Sequence, residues 1–314
     1  MRNSILLVSL FLLCSIVTEA QPRVPPPPPP PPNPNIARER EREWQEIRGR
    51  LDRLVLLPRR VHREKTAPNV VADPSVIKIY RESTKEERTL LAPEIEDGNK
   101  HREFLKQPKS GMMKLVIDLG CDELSNKNPG GKICDSFSMP GGGSAYSFRR
   151  NDYQFWRLAD LLYDGKSFLA FGQMSQGFLV NLGDVPLNDL TRNTKGVDFV
   201  FAFVPENNPA GSERQHKQFV DGLLVGDLLY KKFLPVVENN TYVLRSVAFN
   251  GVAAREERGF KFNELEFDKR EDIIVAFRVI RKDFNATATL LWKILRSKPS
   301  PVLNFPDITS GPEK

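Results

Sequence analysis

The sequence predicts an α+β fold that is mainly antiparallel β, a sandwich or open barrel with one or two helices, preceded by a proline-rich segment and a charged helix. Three observations carry this expectation. Four strand-like runs follow one another between residues 241 and 295, and turns as short as Asp268-Lys269-Arg270 demand antiparallel neighbours. Strand and helix patterns do not alternate regularly, which argues against a doubly wound parallel sheet. Eight consecutive prolines, Pro25 to Pro32, form an extended polyproline helix that cannot join a packed core.

Residues 1–20 read as a secretory signal peptide. Arg2 precedes an apolar run from Ile5 to Val17, and Thr18 and Ala20 are small residues placed for cleavage after Ala20. At about 1.5 Å per residue the run spans roughly 20 Å, short of the roughly 30 Å that a membrane-spanning helix crosses. No later run is apolar enough to span a membrane, so the expected location is extracytoplasmic, either periplasmic or secreted. Residues 21–35 are a proline-rich spacer. Residues 36–57 predict a charged amphipathic helix, in which Trp44, Ile47, Leu51 and Leu54 follow a three-four spacing and Pro58 ends the pattern.

Residues 58–110 form a connecting region with short elements, among them a helix over 83–91 with a capping-box pattern from Ser83 to Glu86. The main β-rich domain is expected over 111–303, with a tail over 304–314. Strands are predicted over 112–119, 145–149, 167–171 and 177–182. A helix over 151–163 follows from Phe155, Leu158, Ala159 and Leu162. Residues 197–204 are apolar on both faces and predict a central strand, while 215–230 is ambiguous because Gly222 and Gly226 interrupt a helical spacing. The C-terminal strands are expected over 241–249, 260–267, 273–281 and 287–295, as a meander.

Two cysteines remain after the signal segment, Cys121 and Cys134. In an oxidising compartment they are expected to pair, and closing a loop of that size is worth about 3 kcal/mol in the chain-entropy picture. The net charge of +6 is a modest excess. It favours an anionic partner, such as a cell-wall polymer or lipid head group, and is too diffuse to argue for nucleic acid.

Catalytic motifs are few. Gly172-Gln-Met-Ser175-Gln-Gly177 is one residue too long for a nucleophile elbow, and His216, in a polar stretch, reads as a solvated histidine. Asp118, Asp122, Glu123 and Asp135 gather around the cysteine loop and could hold Ca2+, although their spacing fits no EF-hand and solvated loop carboxylates are the simpler reading. No other cofactor is predicted, and no pair of carboxylates stands out for hydrolysis. Arg149, Arg245 and Arg278 sit in apolar strand patterns. Each must reach solvent, pair with a carboxylate or meet an anionic ligand.

Tyr242-Val-Leu-Arg-Ser246, Ile274-Val-Ala-Phe-Arg-Val279 and Leu291-Trp-Lys293 resemble the C-terminal part of uncharacterised secreted bacterial proteins, particularly acidobacterial ones. The resemblance covers the last third of the chain and implies a bacterial source and no known activity. The expected function is a non-enzymatic binding or structural module at the bacterial cell envelope or outside it, with an anionic envelope component or another protein as partner. The alternative is a secreted hydrolase using carboxylates that spacing does not reveal.

Overall fold

A computed structural model describes residues 80–116, 140–257, 260–283 and 287–304. The signal segment, the proline spacer and the charged helix lie outside the described residues, as do Cys121, Cys134, Asp118, Asp122, Glu123 and Asp135.

Three short helices come first: α1 (Lys85–Leu90), α2 (Ile95–Lys100) and α3 (Arg102–Leu105). The capping box of α1 lies one residue later than the sequence pattern suggests. Thr84 accepts from the Glu87 amide, and the Glu87 carboxylate accepts from the Thr84 amide. Strand β1 (Ser110–Leu115) follows, then β2 (Ala145–Ser147), β3 (Asp152–Tyr153), β4 (Leu161–Tyr163), β5 (Ser167–Ala170) and β6 (Ser175–Asn181). Two helices, α4 (Val197–Ala202) and α5 (Pro209–Asp221), precede β7 (Leu223–Val225), β8 (Leu228–Lys231), β9 (Phe233–Pro235) and β10 (Thr241–Ala248). The chain continues through β11 (Ala254–Glu257), β12 (Phe260–Asn263), β13 (Glu271–Lys282) and β14 (Ala288–Pro299).

The strands build a seven-stranded sheet in the order β1-β14-β13-β10-β6-β8-β7, a five-stranded sheet in the order β3-β2-β4-β5-β9, and the hairpin β11-β12. Ladder pairings within them are antiparallel, as expected. The two larger sheets share an aromatic core. Phe277 stacks on Tyr242 at 5.4 Å and meets the edge of Phe168 at 5.1 Å, while Phe148 packs on Trp292 at 5.5 Å. Opposite Trp292 in the β1–β14 ladder stands Gly111, where a Cβ would lie 2.5 Å from the indole, so the strand can pass the ring only with glycine there.

The other face of the seven-stranded sheet is covered by α3, α4 and α5, through Phe104, Val197, Val200 and Phe219 against Phe178, Val243 and Ile274. Phe178 stacks on Phe219 at 4.1 Å. The sheet is therefore the middle of three layers. A third cluster contains both Tyr80 and Leu303. Tyr80, Leu91 and Phe104 each join a core cluster, so the described part of the connecting region packs on the sandwich.

Two elements differ from expectation. Residues 151–163 form β3, a single 3-10 turn at Trp156–Leu158 and β4 instead of a helix. Of the residues whose spacing suggested a helix, Phe155 and Leu158 pack in one core cluster while Leu162 is only half-buried and its neighbours Leu161 and Tyr163 join another, and Asp152 is a buried carboxylate accepting from the Ser83 amide and Arg88. Residues 197–202 form α4 instead of a central strand. Val197 and Val200 face the sheet and Phe199, Phe201 and Phe203 pack half-buried beside them, while Asp198 and Ala202 are exposed, so the helix lays a wide apolar face on the sheet. Its N-cap, Gly196, takes φ of 88°, and a Cβ there would lie 2.5 Å from Leu228. Of the expected meander, β10, β13 and β14 are neighbours, whereas β12 leaves the sheet to pair with β11.

Removing the central ring should be costly. Phe277→Ala is expected to lower unfolding stability by about 3–5 kcal/mol, read from the midpoint of a urea titration.

Candidate functional site

The chemistry-bearing side chains of the described residues fall into three groups, each fixed by the sheets. The first lies between the sheets. Arg149, just after β2, places Nε 3.0 Å from Asp160 and Nη1 3.2 Å from Asp268, and all three side chains are wholly buried. Arg270 meets Asp268 at 2.7 Å and donates to the carbonyls of Gln173, Met174 and Phe249. Ser246 of β10 donates to Asp160 at 2.7 Å. Burial works against the Arg149 charge, but Asp160 and Asp268 overcome it and hold the guanidinium above its usual value. Arg270 is lowered to about 10, first by burial and then by repulsion from Arg149.

This group also explains the Gly172–Gly177 motif. Met174 takes φ of 47°, a left-handed conformation that Arg270 supports through the carbonyls on either side of the Gln173–Met174 link. The turn joins β5 to β6, strand to strand, whereas a nucleophile elbow leads into a helix. Ser175 donates its hydroxyl to the Gln173 carbonyl.

The second group lies beneath α5. His216 is not solvated: its Nδ1 lies 3.2 Å from Lys232 Nζ, and its Nε2 is shielded from solvent with no partner among the described residues. The polar stretch around it misleads because α5 turns one face to the sheet, and His216 stands on that face, three residues before the buried Phe219. Lys232 is 3% exposed and has no carboxylate in reach among the described residues, so burial pushes its ammonium down to about 7. Burial, and then the neighbouring lysine, push His216 down to about 2.

The third group lies where α4 ends on the seven-stranded sheet. Arg245 of β10 grips Asp272 of β13 with both Nε and Nη2 at 2.7 Å, and its Nη1 donates to the Val200 carbonyl at 2.9 Å. Arg296 of β14 lies in the same cross-strand row, since Arg245 pairs with Ile274 and Ile274 with Arg296. Its Nη1 donates to the next carbonyl, Phe201, at 3.1 Å. Both arginines thus satisfy carbonyls in the last turn of α4, where the helix dipole favours cations. Burial lowers Arg245 to about 10 despite Asp272, with Arg296 repelling it further. Arg192 and Arg296 both lie over the Phe201 ring, at 5.6 and 5.1 Å. Lys298 reaches Asp272 at 3.1 Å and is half exposed. Asp272 is thus paired with Arg245 and Lys298 and lies within electrostatic reach of Arg296, while Arg192 stands beside Arg296. Nε and Nη2 of Arg296 are shielded and have no hydrogen-bond partner among the described residues, a deficit worth about 1–3 kcal/mol for an unmet buried donor.

The structure gives each arginine singled out by sequence a carboxylate. Arg149 has Asp160 and Asp268, Arg245 has Asp272, and Arg278 has Asp184. They belong to separate places and do not converge. Sequence reasoning missed Arg296, Arg192, Lys298 and Lys232. Two signals were present: Arg296 and Lys298 alternate along one strand face, and adjacent lysines at 231 and 232 in an apolar run must point to opposite sides. Among the described residues no group of three or more His, Cys, Asp or Glu is placed to hold a metal ion, and no helix is long and apolar enough to cross a membrane. Neither family models, nor curated proteins, nor solved structures gave a match to the chain.

The buried charges make two effects measurable. Arg149→Met leaves Asp160 and Asp268 without their shared cation and is expected to cost about 3–5 kcal/mol of unfolding stability, measured in urea at neutral pH. Lys232 binds its proton more weakly folded, at about 7, than unfolded, at the ordinary 10.5. Its contribution is therefore absent above that range and becomes increasingly destabilising as pH falls from about 10 to 7. Lys232→Met should raise stability at pH 7.5 by up to about 4–5 kcal/mol and narrow its gap to wild type at pH 9.5. An equal gap at both values would show that the lysine is charged in the folded protein.

Proposed function

We propose that this protein is a secreted, non-enzymatic binding or structural module that acts at the bacterial cell envelope or outside it. In this reading the signal segment is removed after Ala20, Cys121 and Cys134 pair, and the proline spacer holds the β-sandwich away from whatever the N-terminus touches. The partner is an anionic envelope component, which the net charge of +6 favours.

The observation that carries the reading is how the deeply buried carboxylates are used. Asp160, Asp268, Asp272 and Glu264 each accept from arginine, and Glu264 holds Arg157, Arg255 and the Tyr80 hydroxyl together. A carboxylate-based hydrolase needs one carboxyl kept protonated in an apolar setting, opposite a second that stays ionised. Here every one of these carboxylates is instead engaged by arginine inside the protein, which suits a rigid scaffold.

The purified secreted protein is expected to leave ester, peptide and glycoside substrates unchanged and to co-sediment with isolated envelope fragments, less so as salt rises. Turnover that persists through purification and disappears on substitution of a carboxylate would instead assign a hydrolase.

A further inference from the structure

We infer that the end of α4 carries a binding site for a phosphate-type oxyanion, built from Arg296, Arg192 and Lys298. The inference rests on the binding-module reading and names the ligand group that such a module would take. Its basis is the comparison of two arginines in one cross-strand row. Arg245 and Arg296 hold consecutive carbonyls of α4, Val200 and Phe201, through the same nitrogen, Nη1. The remaining Nε–Nη2 fork of Arg245 is filled by Asp272. The identical fork of Arg296 is filled by no group among the described residues. A fork of this geometry matches two oxygens of a carboxylate or phosphate.

The surroundings point the same way. Arg192 shares the Phe201 ring with Arg296 and has no ion-paired carboxylate among the described residues, so two like charges lie side by side with only Asp272, already paired to Arg245, to offset them. Asp272 is already engaged by Arg245 and Lys298. The β1 ladder reaches Lys293, so the later residues of β14, with Arg296 and Lys298 on one face, have no second strand partner among the described residues. Arg192 is exposed and, among the described residues, meets only the ring, so its guanidinium is free to turn toward an oxyanion held by the fork of Arg296. The ligand group is a phosphate, borne by a lipid head group or by a free or polymeric source.

The test is equilibrium binding of inorganic phosphate, alongside co-sedimentation with phosphatidylglycerol vesicles, for the full-length protein and for Arg192→Ala, Arg296→Gln and, as a control, Arg278→Gln. Saturable phosphate binding, weakened about tenfold or more by either of the first two substitutions and unchanged by the third, is the expected result. Arg192→Ala alters only an exposed side chain and keeps the test valid if Arg296→Gln loosens the fold. Vesicle binding that follows the same pattern assigns the lipid source, and phosphate binding without it assigns the other. Phosphate binding that is absent, or equal in all four proteins, overturns the site. If envelope co-sedimentation survives that result, the module reading stands without this site; substrate turnover with phosphate binding intact would keep the site and overturn the module reading.

Discussion

The fold depends on a buried meeting of charges. Arg149, Asp160, Asp268 and Arg270 draw together the end of β2, the start of β4, the β5–β6 turn and the start of β13, and Ser246 adds β10. Apolar burial supplies most of the driving force for such a sandwich, but it is indifferent to direction and tolerates many arrangements of similar volume. Charges without water do not. Each must face its partner within about 3 Å or carry a large desolvation cost, so the cluster allows one relation between the two sheets and excludes registers that the aromatic core alone would accept.

The same logic runs on the helix side of the seven-stranded sheet, with a different balance. There Asp272 takes the whole Nε–Nη2 fork of Arg245, whereas Arg149 is shared between Asp160 and Asp268, and the neighbouring Arg296 contacts only a carbonyl and a ring among the described residues. The inter-sheet cluster is closed on itself, two cations with two anions. At the end of α4, among the described residues, Arg245, Lys298 and Arg296 share the single carboxylate of Asp272 and Arg192 adds a further cation beside Arg296, bordering solvent with Lys298. Scaffold and recognition thus use the same side-chain chemistry, and the count of opposite charges separates them.

Much of this was legible in the residues. The runs that became β10, β13 and β14 were plain because each keeps β-branched and aromatic residues over a long stretch between polar turns, and arginines at 149 and 245 marked buried polar work. Their partners were not legible, since Asp160 and Asp272 lie 11 and 27 positions away and only the ladders bring them close. Residues 197–202 were misread because their wide apolar face is matched to the sheet and to the neighbouring helix, a property of the assembled molecule. His216 was misread because its neighbours in sequence are polar, while its neighbour in space is a lysine from another element. Arg296 was overlooked because a lone arginine near the end of a basic strand resembles any solvated one until the carbonyl it holds is known.

The cluster that contains both Tyr80 and Leu303 has a mechanical consequence. It packs segments far apart in sequence into one apolar unit separate from the inter-sheet core, so loosening it would release both segments together while the core between the sheets keeps its own packing.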